Sequence, residues 1–565
     1  MALKSIEYKM SKKKANNLKI KTIEELLKKK KILFAMWNAE NKKDAPHNNY
    51  YLPLKEIFDN VILFDPRKIR FKQGSEMMNK IFLDLVKKEK PDFIFLIVGR
   101  DELTIDSMDK IKEVSPKTKI IAFVGDDDTE FENLKRYQAL FVDCSFLGQP
   151  DYVSSYINEG VKNIFPTTSI NVDIFKPLNV KKKCEVTFFG QPSTPRVNLL
   201  RFLIKNRVKL EIFGRGWYDY PEFKDFYKGN LEAVKVINQS KINLTLSRNR
   251  YGQLHFKGRV FEVAACKSFS LVDYFTPYLK FLKNNKEIVM FKNNEELLKK
   301  INYYLKNNKE REKIAKNAYQ KTIKNHDIVN EYKKLFKEIL EKDKIFSRKL
   351  PNLDKKIIKI SKKDVEKSLE KIKKELKNID YVCFSSEKSK SLKHKEYLHI
   401  YSLEKTKKQI SCCDYYVSDK ILGNYLLFNS YKTFESLKKK NFNKFLSLNQ
   451  IVVSKNFFLK NIEEFREFFN GKEIDIINKE NTCFISTPLV SIENLVFKET
   501  KYEDFLNAFQ MIFVTKLYSL LNQKKILFNA YFYRLLSLSL KRNSFIIKHL
   551  YEFLLKKENW KKLKS

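Results

Sequence analysis

At 565 residues the chain is too long for one core, since a domain averages ~150 residues, and its 43% hydrophobic and 14% aromatic content excludes a disordered chain. Its 111 Lys and Arg against 68 Asp and Glu leave a formal charge of +43, which attracts anions but is spread along the sequence. Without zinc-finger spacing, an RNP motif or a helix-turn-helix, nucleic acid ranks behind general lysine enrichment and behind peripheral contact with an anionic membrane.

Residues 1–30, with Lys12-Lys13-Lys14 and Lys28-Lys29-Lys30, read as a basic arm. From residue 31, KILFAMW (31–37), NVILF (60–64), DFIFLIV (92–98), KIIAFVG (119–125) and ALFVDCSF (139–146) alternate with amphipathic stretches such as 74–90. Continuous apolar runs separated by helices predict parallel strands buried on both faces, hence a Rossmann-like α/β domain over 31–175. INVDIFKPLNVKKK (170–183) reads as a linker. A second alternation, EVTFFG (185–190), KLEIFG (209–214), KINLTLS (241–247), SFSLVDY (268–274) and EIVMF (287–291), predicts a second Rossmann-like domain over 184–343. Its last segment, 327–343, is a helix able to cross back to the first domain. Two such domains face each other across a cleft at the C-terminal ends of their strands, where open α/β sheets bind ligands.

Residues 345–565 form an accessory region of unknown fold, running from α/β to helical. A lysine-rich helix is expected at 354–378, strands at 380–386, 397–403 and 414–420, and apolar helices at 505–521 and 526–540. The seven cysteines are odd in number and show no CxxC spacing, which supports neither a zinc site nor a disulfide framework. There is no signal-peptide-like apolar region and no apolar run of about 18 residues, so a cytoplasmic protein is expected, peripheral at most to the inner face of the membrane.

The chemistry-bearing residues gather at strand ends. Gly190 closes the first strand of the second domain in FFGQPSTPR (188–196), where a turn and a helix N-terminus offer free N–H groups to a phosphate and Arg196 adds a charge. In FGRGWYDY (213–220), Gly214 and Gly216 around Arg215 permit close backbone approach, and Trp217 either packs against a base or plugs the domain. The third strand runs into Ser247-Arg248-Asn249-Arg250, followed by Gly252, His255, Lys257 and Arg259. Glu262 lies inside an apolar run, and such an acid needs a partner. In the first domain, His47 either polarises an acceptor or sugar hydroxyl or is a solvent-exposed loop histidine. Asp126 or Asp127 orients an acceptor hydroxyl, or the acidic run caps a helix through Asp128. Gly99-Arg100-Asp101-Glu102 has similar standing.

FFGQPSTPRVNLLRFL, LEIFGRGW, INQSKINLTLSRN, KGRVFEVAACKSFSLVDY and the stretch 287–327 together resemble, in order, the motifs of the CgeB-like, spore-maturation-type glycosyltransferases. These are related to retaining nucleotide-sugar glycosyltransferases of GT-B fold. The resemblance covers 184–343 well, the first domain more loosely and 345–565 not at all. It implies a sugar transferred from a UDP- or GDP-sugar to a glycan, lipid-linked or protein acceptor in cell-surface polysaccharide or glycoconjugate synthesis, with the first domain on the acceptor side. It further implies that Glu262 accepts hydrogen bonds from the ribose hydroxyls, and that Arg196, Arg259 and Lys257 neutralise the leaving diphosphate without a metal or a tightly bound cofactor. One departure stands out, Leu254 in place of a second glutamate eight residues before Glu262. The alternative is a non-catalytic protein of the same fold whose C-terminal region is an interaction module.

Overall fold

The computed structural model describes residues 24–493, apart from the segments 342–347, 385–388, 419–424, 429–449 and 471–477 and scattered single positions. The basic arm up to residue 23, the expected helices at 505–521 and 526–540, and Arg100, Asp101 and Arg250 lie outside the described residues.

Strands β1 (Lys31–Met36), β2 (Asn60–Phe64), β3 (Phe93–Ile97), β4 (Lys119–Val124), β5 (Cys144–Leu147) and β6 (Ile164–Pro166) form one sheet in the order β2-β1-β3-β4-β5-β6. Every pair is parallel. Ile32–Met36 and Phe93–Leu96 are buried along their whole length, which is why these strands carry unbroken apolar runs instead of alternating ones. A second parallel sheet contains β7 (Cys184–Phe189), β8 (Leu210–Phe213), β9 (Ser240–Thr245), β10 (Ser270–Asp273) and β11 (Val289–Phe291), in the order β11-β10-β9-β7-β8. Both sheets reverse direction at their first strand, between β1 and β3 and between β7 and β9. Loops leaving those strands diverge there and open a crevice at the carboxyl ends.

The chain crosses between the two sheets twice, and the crossings are tied together: Ile170 N–H donates to His326 O at 2.8 Å and Ile328 N–H to Ile170 O at 3.0 Å. The helix Ile328–Glu341 then packs back on the first sheet, seating Tyr332, Phe336 and Ile339 among Phe34, Phe58, Phe93, Phe95 and Phe146. Phe336 meets Phe58 and Phe93 edge to face at 4.9 and 5.2 Å, a geometry that adds to area burial.

The accessory region builds a mixed sheet from β12 (Ile357–Ile360), β13 (Tyr381–Phe384), β14 (Ser389–Ser391), β15 (Ile410–Ser418), β16 (Tyr425–Phe428), β17 (Ile451–Ser454) and β18 (Thr482–Glu493). Two expectations are corrected here. The lysine-rich stretch 354–378 opens with strand β12 before its short helices, because Ile357, Ile358 and Ile360 pair with β13. YLHIYSL (397–403) is not a strand but the middle of the helix Lys395–Thr406, buried on nearly all sides, so no polar face marked its period. This sheet shares one continuous core with the first domain. Polar ties reinforce the contact: Tyr137 Oη lies 2.6 Å from Ser402 Oγ, Tyr401 and Arg136 converge on buried Glu159, and Asp109 takes Lys393, His394 and Arg348.

Phe336→Ala removes the central ring of the returning helix. A loss of about 3–5 kcal/mol is predicted, read by denaturant melting.

Candidate functional site

The second domain presents its chemistry at the carboxyl ends of β7, β8 and β9. After β7, Gly190 N–H donates to Phe213 O at 2.9 Å, drawing the first two loops together. Gly214 has φ +119°, and a Cβ there would fall 2.5 Å from Gly190 O, so the loops can touch only through glycines. Gly216 has φ +93° and sits against Pro192.

Trp217 is 1% exposed, with its indole N–H donating to Gly190 O at 2.7 Å and its ring wedged among Phe188, Tyr220 and Phe223. The expectation that it offers a plane to a base is therefore corrected: it is the plug beneath the loops. Arg215 is exposed between the two glycines.

The helix Thr194–Lys205 starts beside this turn with Pro195 in its first turn, and the helix Arg259–Ala265 starts after the loop that leaves β9. Between them lies a cluster of cations. Arg196 Nη1 donates to Gln191 O at 2.9 Å, while its Nε is buried without a partner among the described residues. Burial pushes the Arg196 guanidinium down from its usual range; Asp273 opposes the shift and Arg259 adds to it. Burial, then Arg196, also push the Lys257 amine down to about 8, with Asp128 and Asp126 opposing and Arg259 adding. Arg259 lies over the Phe189 ring at 4.8 Å and its Nη1 is 2.7 Å from Glu262 Oε2. This contact is close but misaligned for a hydrogen bond. Glu262 thus has its partner, one turn away on its own helix. At the end of β10, Asp273 is buried, accepts from Ser247 N–H at 2.6 Å and faces Arg248 Nε at 3.4 Å.

The first domain contributes from the ends of β1 and β4. His47 is buried, not a solvent-exposed loop residue, with Nδ1 2.7 Å from Ala39 O and its ring against Tyr51. Tyr50, three residues on, has its hydroxyl raised above the usual range by burial, then by the charges of Asp126 and Glu262. Asp126 is exposed and left-handed, at φ 56°, and makes no side-chain capping bond. Asp127 turns the other way, into the core, where Tyr156 Oη donates to it and burial pushes its carboxyl up to about 7. Of the two acids only Asp126 is solvent-accessible, and the role expected of Asp127 is corrected. Asp128 does not cap the helix; it reaches the second domain, 3.0 Å from His255 Nδ1 and 2.9 Å from Asn249 Nδ2. Glu102 is buried and holds the loop after β3 by accepting from Gly99 N–H at 2.7 Å and pairing with Arg67 at 3.0 Å.

Asp128, Gln149, Asp273 and Tyr50 were not singled out as site residues from sequence. For Asp273 the signal was present, an acid closing an apolar strand; for Gln149 there was none. Among the described residues no group of His, Cys, Asp or Glu is placed to hold a metal ion, and no helix is long and apolar enough to cross a membrane.

Residues 196–337 match a family described as glycosyl transferase-like. A search of the curated proteins gave no match. Similar solved structures include HepE of Anabaena in complex with UDP-glucose, at 11% identity and TM-score 0.42 over 55% of this chain and 99% of that one. A glycosyltransferase from Rickettsia africae is similar at 13% identity and TM-score 0.39 over 56% and 99%. Sucrose-phosphate synthase of Thermosynechococcus elongatus is similar at 9% identity and TM-score 0.40 over 55% and 100%.

Trp217→Phe keeps the plug but removes the donor to Gly190 O. The predicted result is a stability loss of about 1–3 kcal/mol in denaturant melts with nucleotide affinity unchanged. A stacking role would give the opposite pattern.

Proposed function

We propose that the chain is a glycosyltransferase of GT-B type that binds a nucleotide-sugar, a UDP- or GDP-sugar, in the second domain and transfers the sugar to a hydroxyl of a glycan, lipid-linked or protein acceptor. The observation that carries this reading is the cluster of Arg196, Lys257 and Arg259, held in one another's field at a topological switch point with Glu262 beside it. Like charges brought together and partly desolvated are unfavourable in the free protein and favourable around a polyanion. The family match over 196–337 spans all four residues.

In the transfer, the acceptor hydroxyl oxygen bonds to the anomeric carbon and gives its proton to the departing phosphate oxygen, while the bond between that carbon and that oxygen breaks and the nucleoside diphosphate leaves with the electron pair. Arg196, Lys257 and Arg259 stabilise that developing charge, and the N-terminus of Thr194–Lys205 offers backbone donors to the phosphates. Glu262 accepts from the ribose hydroxyls once Arg259 swings to the diphosphate. His47 and Asp126 serve the acceptor side. Kinship with the CgeB-like branch and retention of anomeric configuration belong to this reading, supported by the order of the motifs. So do the domain limits 31–175 and 184–343, a role in surface glycoconjugate synthesis, and peripheral contact with an anionic membrane. A second reading, a non-catalytic binding protein, draws on Leu254, an apolar residue where the resemblance puts a second glutamate.

Calorimetric titration with UDP, GDP, CDP and their sugars tests the proposal. One nucleotide family is predicted to bind, and Glu262→Ala and Arg196→Ala each to weaken it about ten- to a hundredfold, the loss of a hydrogen bond to a charged group. Unchanged affinity in both folded variants would remove the site; binding without turnover on any acceptor would favour the second reading. The pH dependence has a definite sign. Lys257 loses its charge as pH rises through about 8, so affinity for the diphosphate falls between pH 7 and 9 and binding near pH 8 takes up protons. Lys257→Met flattens that limb, as calorimetry in buffers of different ionisation heat will show.

A further inference from the structure

We infer that Asp128 and the loop 247–256 form an interdomain latch that shuts the cleft over the cation cluster; this rests on the reading above only for what the latch guards. Asp128, just after β4, crosses to the second domain, where it accepts from Asn249 Nδ2 at 2.9 Å and lies 3.0 Å from His255 Nδ1, which is also 3.4 Å from Gln149 Nε2. Gln149 Nε2, after β5, donates to the same carboxylate at 3.3 Å from the first-domain side. Burial alone would raise this carboxyl, yet the bonds from His255 and Asn249 outweigh it and hold it at about 2.

The loop is built to deliver those two side chains. Asn249 Oδ1 accepts from Tyr251 N–H at 2.9 Å and Gln253 N–H at 3.0 Å, folding the loop around its own side chain and leaving Nδ2 to point at Asp128. His255 stands two residues before Lys257 and four before Arg259, so the latch and the cation cluster share one short segment. Asp128 also supports the charge on Lys257. Opening the latch both frees the segment and withdraws that support.

Two features make this a latch and not a permanent weld. The chain crossings, tied to each other by Ile170, His326 and Ile328, form a narrow hinge separate from the latch. The closed junction also buries His255 Nε2 and Asp151 Oδ1 with no partner among the described residues. Orphaned buried polar atoms oppose closure, and opening relieves them.

The test uses the full chain and two variants, each read on the opposite domain. In Asp128→Ala, amides of 247–256 are predicted to exchange at least about tenfold faster, the loss of a charge-assisted bond, with a larger radius of gyration in X-ray scattering and faster release of whichever of UDP and GDP binds. In Asn249→Ala, the amides of 125–131 report the same change. Unchanged exchange across the cleft and unchanged scattering in folded variants would overturn the latch. Failure of both variants to fold would overturn it too, because a latch between two folded domains is dispensable to each. Scattering and exchange need no nucleotide: a chain that opens in Asp128→Ala but binds neither UDP nor GDP keeps the latch and loses the proposed function.

Discussion

Three cations in one another's field, with a carboxylate paired to one of them, are the constraint around which the second domain is arranged. Arg196, Lys257 and Arg259 repel, and burial removes part of the water that would screen them. Such a cluster persists only if separate rigid elements impose it. Arg196 is fixed by a helix that begins after β7, Arg259 by a helix that begins after the β9 loop, and Lys257 by its backbone N–H, which donates to Tyr278 Oη at 2.8 Å. The parallel sheet supplies the rest, because every strand of such a sheet must end where its next helix begins. Glycines 190 and 214 let the neighbouring loops close to contact, and Trp217 fills the space beneath them. The cations are held ready before any anion arrives, which is the condition under which fixed charges stabilise a leaving group.

Much of this architecture was legible in the sequence because both sheets are buried on both faces. KILFAMW and DFIFLIV have no polar alternation to confuse with an amphipathic helix, and the structure places strands in both. The site was legible to the extent that it depends on strand ends: FFGQ, IFGRG and LTLSRN announce where chain direction changes. What sequence could not decide was which way a side chain turns at those ends. Asp126, Asp127 and Asp128 are chemically identical neighbours, yet a left-handed residue at Asp126 sends one to the cleft edge, one to Tyr156 and one across to His255. Trp217 posed the same difficulty, since an aromatic ring after two glycines suits a base and a core equally well. YLHIYSL misled for a further reason: a helix covered on nearly all sides loses the periodicity that would identify it.

The accessory region is joined to the first domain by a shared core, not by a tether. Tyr137, Glu159 and Asp109 in the first domain each meet a partner in the later region, and Asp109 gathers Arg348, Lys393 and the His394 ring. A carboxylate so surrounded is held well below the usual range, although burial opposes the shift. An interface of this kind makes the first domain and the accessory sheet move together. In the proposed opening the second domain is the body that turns about Ile170 and Ile328, and the cation cluster lies on that domain.

The most direct measurement is a crystal structure of the full chain soaked with UDP and, separately, with GDP. The account predicts the diphosphate between Arg196, Lys257 and Arg259, the ribose hydroxyls on Glu262, and Arg259 turned away from Glu262 toward the phosphates. A nucleotide bound elsewhere, or an intact Arg259–Glu262 pair with the cluster empty at saturating UDP and at saturating GDP, would contradict it.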